Sequence, residues 1–155
     1  SGVSNVHPQW IDNERDPRVG RLAGKIDRVL VDAPCSGIGT LRRNPDLKWR
    51  QKPEDIEEMR AKQASILAAA SKLVAPKGRL VYATCSILRA ENEAIVEAFL
   101  AEHPGFVAVD AREVLKEQGI EIRGLDGPWL KLRPDVHATD GFFAAVLERK
   151  TGDAK

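Results

Sequence analysis

The sequence predicts an α/β domain built on a mostly parallel β-sheet, with an antiparallel strand at one edge of that sheet. Short apolar runs rich in β-branched residues alternate with longer segments whose apolar residues recur at the helical period. The resulting order of strand, helix, strand, helix and strand is typical of parallel sheets with helical connections. The last two apolar runs follow each other without a helix between them, which predicts the antiparallel edge strand.

The first half of the chain contains one predicted strand, one long loop and one long helix. The strand covers residues 29–31, an apolar run bounded by polar residues, and we expect it to be buried. Residues 36–52 contain glycines and prolines without a regular period and predict a long loop, which in a compact domain is usually functional or mobile. Pro53 suits the first position of a helix. This helix is expected to run to about residue 74, before the helix-breaking residues 76–78.

The second half of the chain alternates in the same way. The predicted elements are, in order, a strand at 79–83, a helix at about 90–102, a strand at 106–109, a short helix at 111–118, and strands at 129–132 and 142–147. Connections between neighbouring parallel strands are right-handed in nearly all proteins. The carboxyl ends of the parallel strands are therefore expected at one edge of the sheet.

Composition and charge exclude several classes of protein. With 155 residues the chain has room for one domain or for part of a larger one. It contains no apolar run of about 18 residues that could span a membrane and no secretory signal. Its 24 basic and 23 acidic residues give a net charge of +1, which argues against a small basic protein that coats nucleic acid. Two cysteines, and histidines without zinc-ligand spacing, predict a cytoplasmic protein with free thiols and no metal.

The two cysteines occupy equivalent positions in the predicted sheet. Cys35 comes just after the strand at 29–31, and Cys85 just after the strand at 79–83. Ligands of open parallel sheets bind at the carboxyl ends of the strands. If these strands are neighbours, both thiols open into one crevice. Two alternatives are a pair of structural buried thiols and a redox disulfide, although the spacing is not the C-x-x-C of oxidoreductases.

Five short motifs make the sequence recognisable. They are DAPCSG at 32–37, RRNPDLKW at 42–49, YATCS at 82–86, ENE at 91–93 and TDGFF at 139–143. Together they resemble the RNA cytosine-5 methyltransferases of the NOL1/NOP2/Sun family, especially the bacterial 16S ribosomal RNA methyltransferase branch. The resemblance covers residues 26–149. It is specific because both cysteine motifs occur, with the RRNP element between them.

The resemblance implies a Rossmann-like class I methyltransferase fold, with S-adenosylmethionine as the cofactor and cytosine in ribosomal RNA as the substrate. It implies that Cys85 attacks carbon 6 of cytosine, a step that a thiolate performs far better than a hydroxyl at neutral pH. Cys35 is implied to assist release of the product. Asp32, with the backbone around Pro34, is implied to stabilise the base and to lie against the cofactor.

The family's glycine-rich cofactor loop does not occur in this sequence. By the resemblance, residues 1–155 are the carboxyl-terminal portion of one methyltransferase domain that begins near the third strand, at about 3–11. Asp12 would then match the acidic residue that contacts the cofactor after that strand. The missing first strands would leave the strand at 29–31 with a bare edge. We therefore expect an upstream segment of the same protein as a partner, or self-association through that edge, and no activity from the fragment alone.

A basic segment with one aromatic residue follows the first cysteine. Arg42, Arg43 and Lys48 lie in it together with Trp49. Basic side chains beside an aromatic ring suit single-stranded RNA, whose bases stack on such rings. The target cytosine has to be unpaired or flipped out of its stack before a thiol can reach it. The alternative is an ordinary solvated loop.

Two other functions stay open from the sequence. A non-catalytic RNA-binding module would keep the shape, but such copies usually lose the cysteine that stands at Cys85. An amino-group methyltransferase would carry an Asn/Asp-Pro-Pro-aromatic run and would need no thiol. The remaining tryptophans, Trp10 and Trp129, are expected to pack in the core.

Overall fold

A five-stranded sheet organises the part of the chain that the computed structural model describes, residues 2–151. Its strands are β1 (Ile26–Asp32), β2 (Val74–Thr84), β3 (Phe106–Val109), β4 (Leu130–Leu132) and β5 (Phe142–Arg149). The helices are α1 (Pro17–Gly20), α2 (Leu47–Arg50), α3 (Pro53–Ser71), α4 (Glu93–Glu102), α5 (Ala111–Lys116) and α6 (Pro134–His137). A single 3₁₀ turn, Ile38–Thr40, follows β1. None of the helices within 2–151 is long and apolar enough to cross a membrane.

The strand order β1-β2-β5-β3 confirms the predicted fold class. β1 and β2 pair in parallel, whereas β5 is antiparallel to β2, β3 and β4, so β5 alone of the described strands runs in the opposite direction. One detail of the prediction was wrong, because the antiparallel strand lies inside the sheet and not at its edge. β3 pairs with the second half of β5 and β4 with its beginning, so both edges of β5 are occupied.

The connection between α3 and β2 differs from the prediction. The helix ends at Ser71, and β2 begins at Val74, upstream of the predicted breaker residues 76–78. These residues lie in an irregularity of the β1–β2 pairing, where Ile26 pairs with Val74 but Arg28 pairs with Arg79. A bulge accommodates proline and glycine without ending the strand.

The core lies where β2 and β5 meet α3 and α4. Its fully buried apolar side chains include Leu80, Phe143 and Leu147 of the sheet and Leu67 and Val96 of the helices. This packing fixes the carboxyl ends of β1 and β2 relative to the start of α4, and these ends carry both cysteines.

β1 is open on one side, contrary to the expectation of a fully buried strand. Val31 is buried, but the side chain of Leu30 is 69% exposed. Within residues 2–151, β1 pairs only with β2. The bare strand edge expected from the resemblance is therefore present in the described part of the chain.

The amino-terminal segment does not form the strand predicted near residues 3–11. Residues 2–16 are irregular or turn, and Trp10 is 81% exposed and not packed in a core as expected. A strand needs a neighbouring strand for its backbone hydrogen bonds, and no other strand in residues 2–151 pairs with this segment. Trp129 does pack as expected, with its ring 6.2 Å from that of Phe143.

Candidate active site

The two cysteines meet at the carboxyl ends of β1 and β2. Their Sγ atoms lie 3.3 Å apart, and both are free, half-buried thiols. The pairing of the strands continues one residue beyond β1, where the N–H of Ala33 donates to the carbonyl of Ala83 at 2.9 Å. Because parallel neighbours end at the same edge of a sheet, residues 50 positions apart in sequence become direct neighbours.

The Cys35 thiol retains its proton at neutral pH. Burial, and then the hydrogen bond with Cys85, raise the pKa of Cys35 to about 12. Either thiol can donate in the contact between the two sulfur atoms, and the raised pKa of Cys35 suits it to the donor role. A donated hydrogen bond stabilises an acceptor sulfur that carries negative charge.

Backbone contacts hold the Cys85 segment against two neighbouring loops. The N–H of Gly39 donates to the carbonyl of Cys85 at 3.0 Å, and the N–H of Gly141 donates to the carbonyl of Gly39 at 2.8 Å. A Cβ atom on Gly39 would lie 2.6 Å from the Cys85 carbonyl oxygen and closer still to that of Gly141. Glycine is required at position 39 because the three backbones approach so closely.

Asn92 joins the Thr-Cys-Ser segment to the start of α4. Its side chain accepts a hydrogen bond from the Thr84 hydroxyl at 2.5 Å and donates to the Ser86 carbonyl at 2.9 Å. Asn92 is also the residue that immediately precedes α4. The helix therefore begins slightly later than predicted, but its amino end lies against the cysteine segment.

Glu91 connects the two cysteine segments, a role that the sequence did not reveal. Its fully buried carboxyl group accepts hydrogen bonds from the hydroxyls of Ser36 and Ser86, which directly follow the two cysteines, at 2.6 and 2.5 Å. It also accepts from the Ser36 backbone N–H at 2.8 Å and from the Gln63 side chain at 3.1 Å. The available signal was a serine after each cysteine and the ENE motif, but only the fold places them together.

The predicted cofactor residues fall into two groups. Asp32 and Pro34 are exposed at the carboxyl end of β1, where the Asp32 carboxyl has no hydrogen-bond partner in the described range. Asp12 is also exposed, but its carboxyl pairs with Arg18 at 3.2 Å. An exposed carboxyl at a strand end fits a bound polar ligand, so Asp32 and Pro34 suit the cofactor better than Asp12 does.

The basic segment divides into a paired half and an exposed half. Arg42 and Arg43 pair with Asp140, the former at 3.7 Å. The Trp49 side chain is 81% exposed, and the Lys48 Nζ atom lies 5.1 Å from the centre of its ring. Asp140 belongs to the TDGFF motif, and its pairing with the arginines was not predicted.

An open cleft of about 320 Å³ lies beside the Cys85 segment. The residues that line it include Ser86 and Ile87 of this segment together with Phe142, Lys131 and Arg133. Both basic side chains are already paired, Lys131 with the carboxylate of Glu93 and Arg133 with that of Asp135. The cleft therefore presents mainly apolar surface to a ligand, because the charges of its two basic side chains are already compensated.

Comparison with known proteins assigns the family. The family profile described as 16S rRNA methyltransferase RsmB/F matches residues 6–148, nearly the whole chain. The chain belongs to the RsmB/F family. The two cysteines, Glu91 and the exposed Trp49 thus lie within the matched residues of an RsmB/F member, as does each predicted site residue.

Individual RsmB/F relatives agree with this assignment. The chain is 37% identical over 155 residues to the "Probable ribosomal RNA small subunit methyltransferase B" of Bacillus subtilis, covering 96% of the chain and 33% of that protein. It is 41% identical over 141 residues to the ribosomal RNA small subunit methyltransferase B of Sodalis glossinidius, covering 91% of the chain and 30% of that protein. The chain thus spans about a third of the length of these curated relatives.

A solved structure supports the fold of this RsmB/F chain. The crystal structure of NSun6 from Pyrococcus horikoshii with SFG, an S-adenosylmethionine analogue, superposes with a TM-score of 0.77 at 31% sequence identity. The match covers 98% of the chain and 36% of NSun6.

Proposed function

We propose that the full-length protein transfers a methyl group from S-adenosylmethionine to carbon 5 of cytosine in RNA. One observation carries this proposal: two free thiols lie 3.3 Å apart at the ends of neighbouring parallel strands. The names of the relatives favour small-subunit ribosomal RNA as the substrate. We place the activity in the cytoplasm, where thiols remain reduced.

Cys85 is the proposed nucleophile. Its sulfur bonds to carbon 6 of the ring, and the electron pair of the C5–C6 double bond makes carbon 5 nucleophilic. S-adenosylmethionine, when bound, supplies an electrophilic methyl group for that carbon. Afterwards the proton on carbon 5 passes to water. The electron pair of that C–H bond restores the C5–C6 double bond, and the S–C6 bond breaks with its electron pair leaving on the Cys85 sulfur.

Cys35 is the proposed helper of this release. Its thiol keeps a proton because its pKa is raised, and its Sγ lies 3.3 Å from the Cys85 sulfur. A hydrogen bond from Cys35 stabilises the negative charge that develops on the departing Cys85 sulfur. Without it, the covalent adduct is expected to persist.

Asp32 is proposed to bind the reacting base and the cofactor side of the crevice. A carboxylate at this strand end can accept from the exocyclic amine of cytosine, and a protonated carboxyl can donate to N3. The backbone of Pro34 is proposed to contact the same ligands, and the Gln63 side chain fixes it by donating a hydrogen bond to the Pro34 carbonyl at 2.9 Å. Asp12 stays a candidate for the adenine side of the cofactor only if it exchanges its partner Arg18 for that ligand.

The basic segment is proposed to contact the RNA strand beside the target base. Trp49 projects into solvent next to Lys48, a combination that suits a stacked base and a phosphate. Arg42 and Arg43 line the same segment, but Asp140 neutralises part of their charge.

The bare edge of β1 is proposed to pair with an upstream segment that carries the glycine-rich cofactor loop. The exposed Leu30 and the unpaired edge of β1 within residues 2–151 support this. Light scattering of the 155-residue chain tests this pairing. We expect the chain to self-associate, and we expect addition of the upstream segment to abolish that self-association. A sharp monomer with no tendency to bind that segment contradicts it.

Product analysis tests the proposed activity. Full-length protein is incubated with 16S ribosomal RNA and methyl-labelled S-adenosylmethionine, and the RNA is digested to nucleosides for mass spectrometry. We expect label in 5-methylcytidine. Label in an amino-methylated nucleoside contradicts the cytosine-5 assignment, and RNA binding without any label supports a non-catalytic module.

A further inference from the structure

We propose that Glu91 is a positioning residue that fixes the distance between the two catalytic sulfur atoms. The inference rests on the proposed function and assigns a task that neither the family profile nor the names of the relatives describe. Within residues 2–151, the side chain of Glu91 makes its hydrogen bonds to Ser36, Gln63 and Ser86 and none to either sulfur. It acts through Ser36 and Ser86, the residues that directly follow Cys35 and Cys85.

The two serines bind Glu91 in the same way. The Ser36 hydroxyl accepts a hydrogen bond from the backbone N–H of Ile38 at 3.4 Å, and the Ser86 hydroxyl accepts from that of Leu88 at 3.1 Å. Each hydroxyl has one hydrogen, and with its oxygen already accepting, that hydrogen points to Glu91 Oε2. Both cysteine segments are thus attached to one atom.

The second carboxyl oxygen completes the attachment. Oε1 accepts from the Ser36 backbone N–H and from Gln63, so four donors occupy the acceptor capacity of the carboxyl group. The backbone carbonyl of Glu91 accepts from the Tyr82 hydroxyl at 2.7 Å, which ties the residue itself to β2. A fully buried carboxyl with all its acceptor positions occupied is held rigidly, since displacing it would leave buried groups without hydrogen bonds. We call the Glu91 carboxyl with its hydrogen bonds to Ser36, Ser86 and Gln63 the bracket.

The two cysteine segments depend on this bracket unequally. The Cys85 segment is also held by Asn92, which binds both Thr84 and Ser86. The Cys35 segment has bonds from Gln51 to the Ser36 carbonyl and from Gln63 to the Pro34 carbonyl. Gln63 in turn donates to Glu91. Loss of Glu91 therefore loosens Cys35 more than Cys85.

This asymmetry predicts a specific kinetic effect of Glu91→Gln. An amide nitrogen cannot accept from the serine hydroxyls or from the Ser36 N–H, so part of the bracket is lost while its volume is kept. Attack by Cys85 continues, but Cys35 no longer reaches the departing sulfur reliably. We expect release to slow by about tenfold to a hundredfold, as for a misplacement of the order of 1 Å, and the covalent protein–RNA adduct to accumulate.

The test compares full-length Glu91→Gln with Glu93→Gln on a denaturing gel, together with methyl incorporation and Tm. Glu93 is a matched control because it is also buried at the start of α4, but within the described residues its carboxyl pairs with Lys131 and makes no hydrogen bond to either cysteine segment. Support is an adduct band in Glu91→Gln that is absent from Glu93→Gln at a comparable loss of Tm. Parallel loss of adduct and product in both variants overturns the proposal.

Serine variants keep the test decisive if Glu91→Gln does not fold. Ser36→Ala removes one bond on the Cys35 side and should accumulate adduct, whereas Ser86→Ala should accumulate less because Asn92 still holds that segment. Equal behaviour of the two serine variants overturns the proposal. Failure of the proposed function is a separate result, because wild type would then yield no 5-methylcytidine at all.

Discussion

The sulfur atoms of Cys35 and Cys85 lie 3.3 Å apart as free thiols, although 50 positions separate the residues in sequence. The parallel pairing of β1 with β2 produces this contact, since it brings both strand ends to one edge. Burial and the contact with Cys85 raise the pKa of Cys35 to about 12, which favours its protonated form. Under the proposed function, one sulfur attacks the base and the other donates a hydrogen bond when the covalent intermediate breaks down.

The raised pKa of Cys35 predicts slow alkylation. An ordinary cysteine has a pKa of about 8.5, whereas burial and Cys85 raise the pKa of Cys35 to about 12. At pH 8 Cys35 should react with iodoacetamide at least about a hundredfold more slowly than a cysteine in an unfolded peptide, because only the thiolate reacts. Peptide mapping by mass spectrometry measures this rate. It should still be rising at pH 10, and a rate that levels off near pH 8.5 would contradict the assignment.

Trp49 offers a direct test of RNA contact. Replacement by alanine should weaken binding of single-stranded RNA by about tenfold, since a stacked base contributes about 1–3 kcal/mol. Trp10→Ala is the matched control, because Trp10 and Trp49 are both 81% exposed. Fluorescence anisotropy with a labelled oligonucleotide gives both affinities. Equal losses in the two variants would show that Trp49 has no special place in the RNA site.

Gly39→Ala tests the close approach of the three backbones at the site. The added Cβ would collide with the carbonyl oxygens of Cys85 and Gly141, which cannot move without shifting their segments. Overpacking of this kind costs about 2 kcal/mol and should lower Tm by about 5 °C. Gly20→Ala is the control, since a Cβ there meets nothing within 4 Å. Calorimetry of both variants measures the difference, and an unchanged Tm for Gly39→Ala would contradict the packing described.

The sequence predicted the elements better than their arrangement. Apolar runs at 79–83 and 142–147 located β2 and β5, but the interior position of β5 depends on pairing with β3 and β4, which no local pattern encodes. The early start of β2 was missed because Pro76 and Gly78 ordinarily end an element, whereas here they lie in a bulge.

The same limit applied to the site. The cysteine motifs placed both thiols at strand ends, because motif position along a strand is readable from sequence. The role of Glu91 was not readable, since a glutamate near a helix start usually faces solvent and only the tertiary fold buries this one. The exposure of Trp10 was missed for the converse reason, because an aromatic residue near a predicted strand is usually packed.

The adduct formed by cysteine variants tests the central claim most directly. Full-length wild type, Cys35→Ala and Cys85→Ala are incubated with 16S ribosomal RNA and S-adenosylmethionine and separated on a denaturing gel. The roles assigned to the two sulfur atoms predict a covalent protein–RNA band that accumulates in Cys35→Ala and is absent from Cys85→Ala. A band that accumulates in Cys85→Ala and is absent from Cys35→Ala would contradict these roles and exchange the two cysteines.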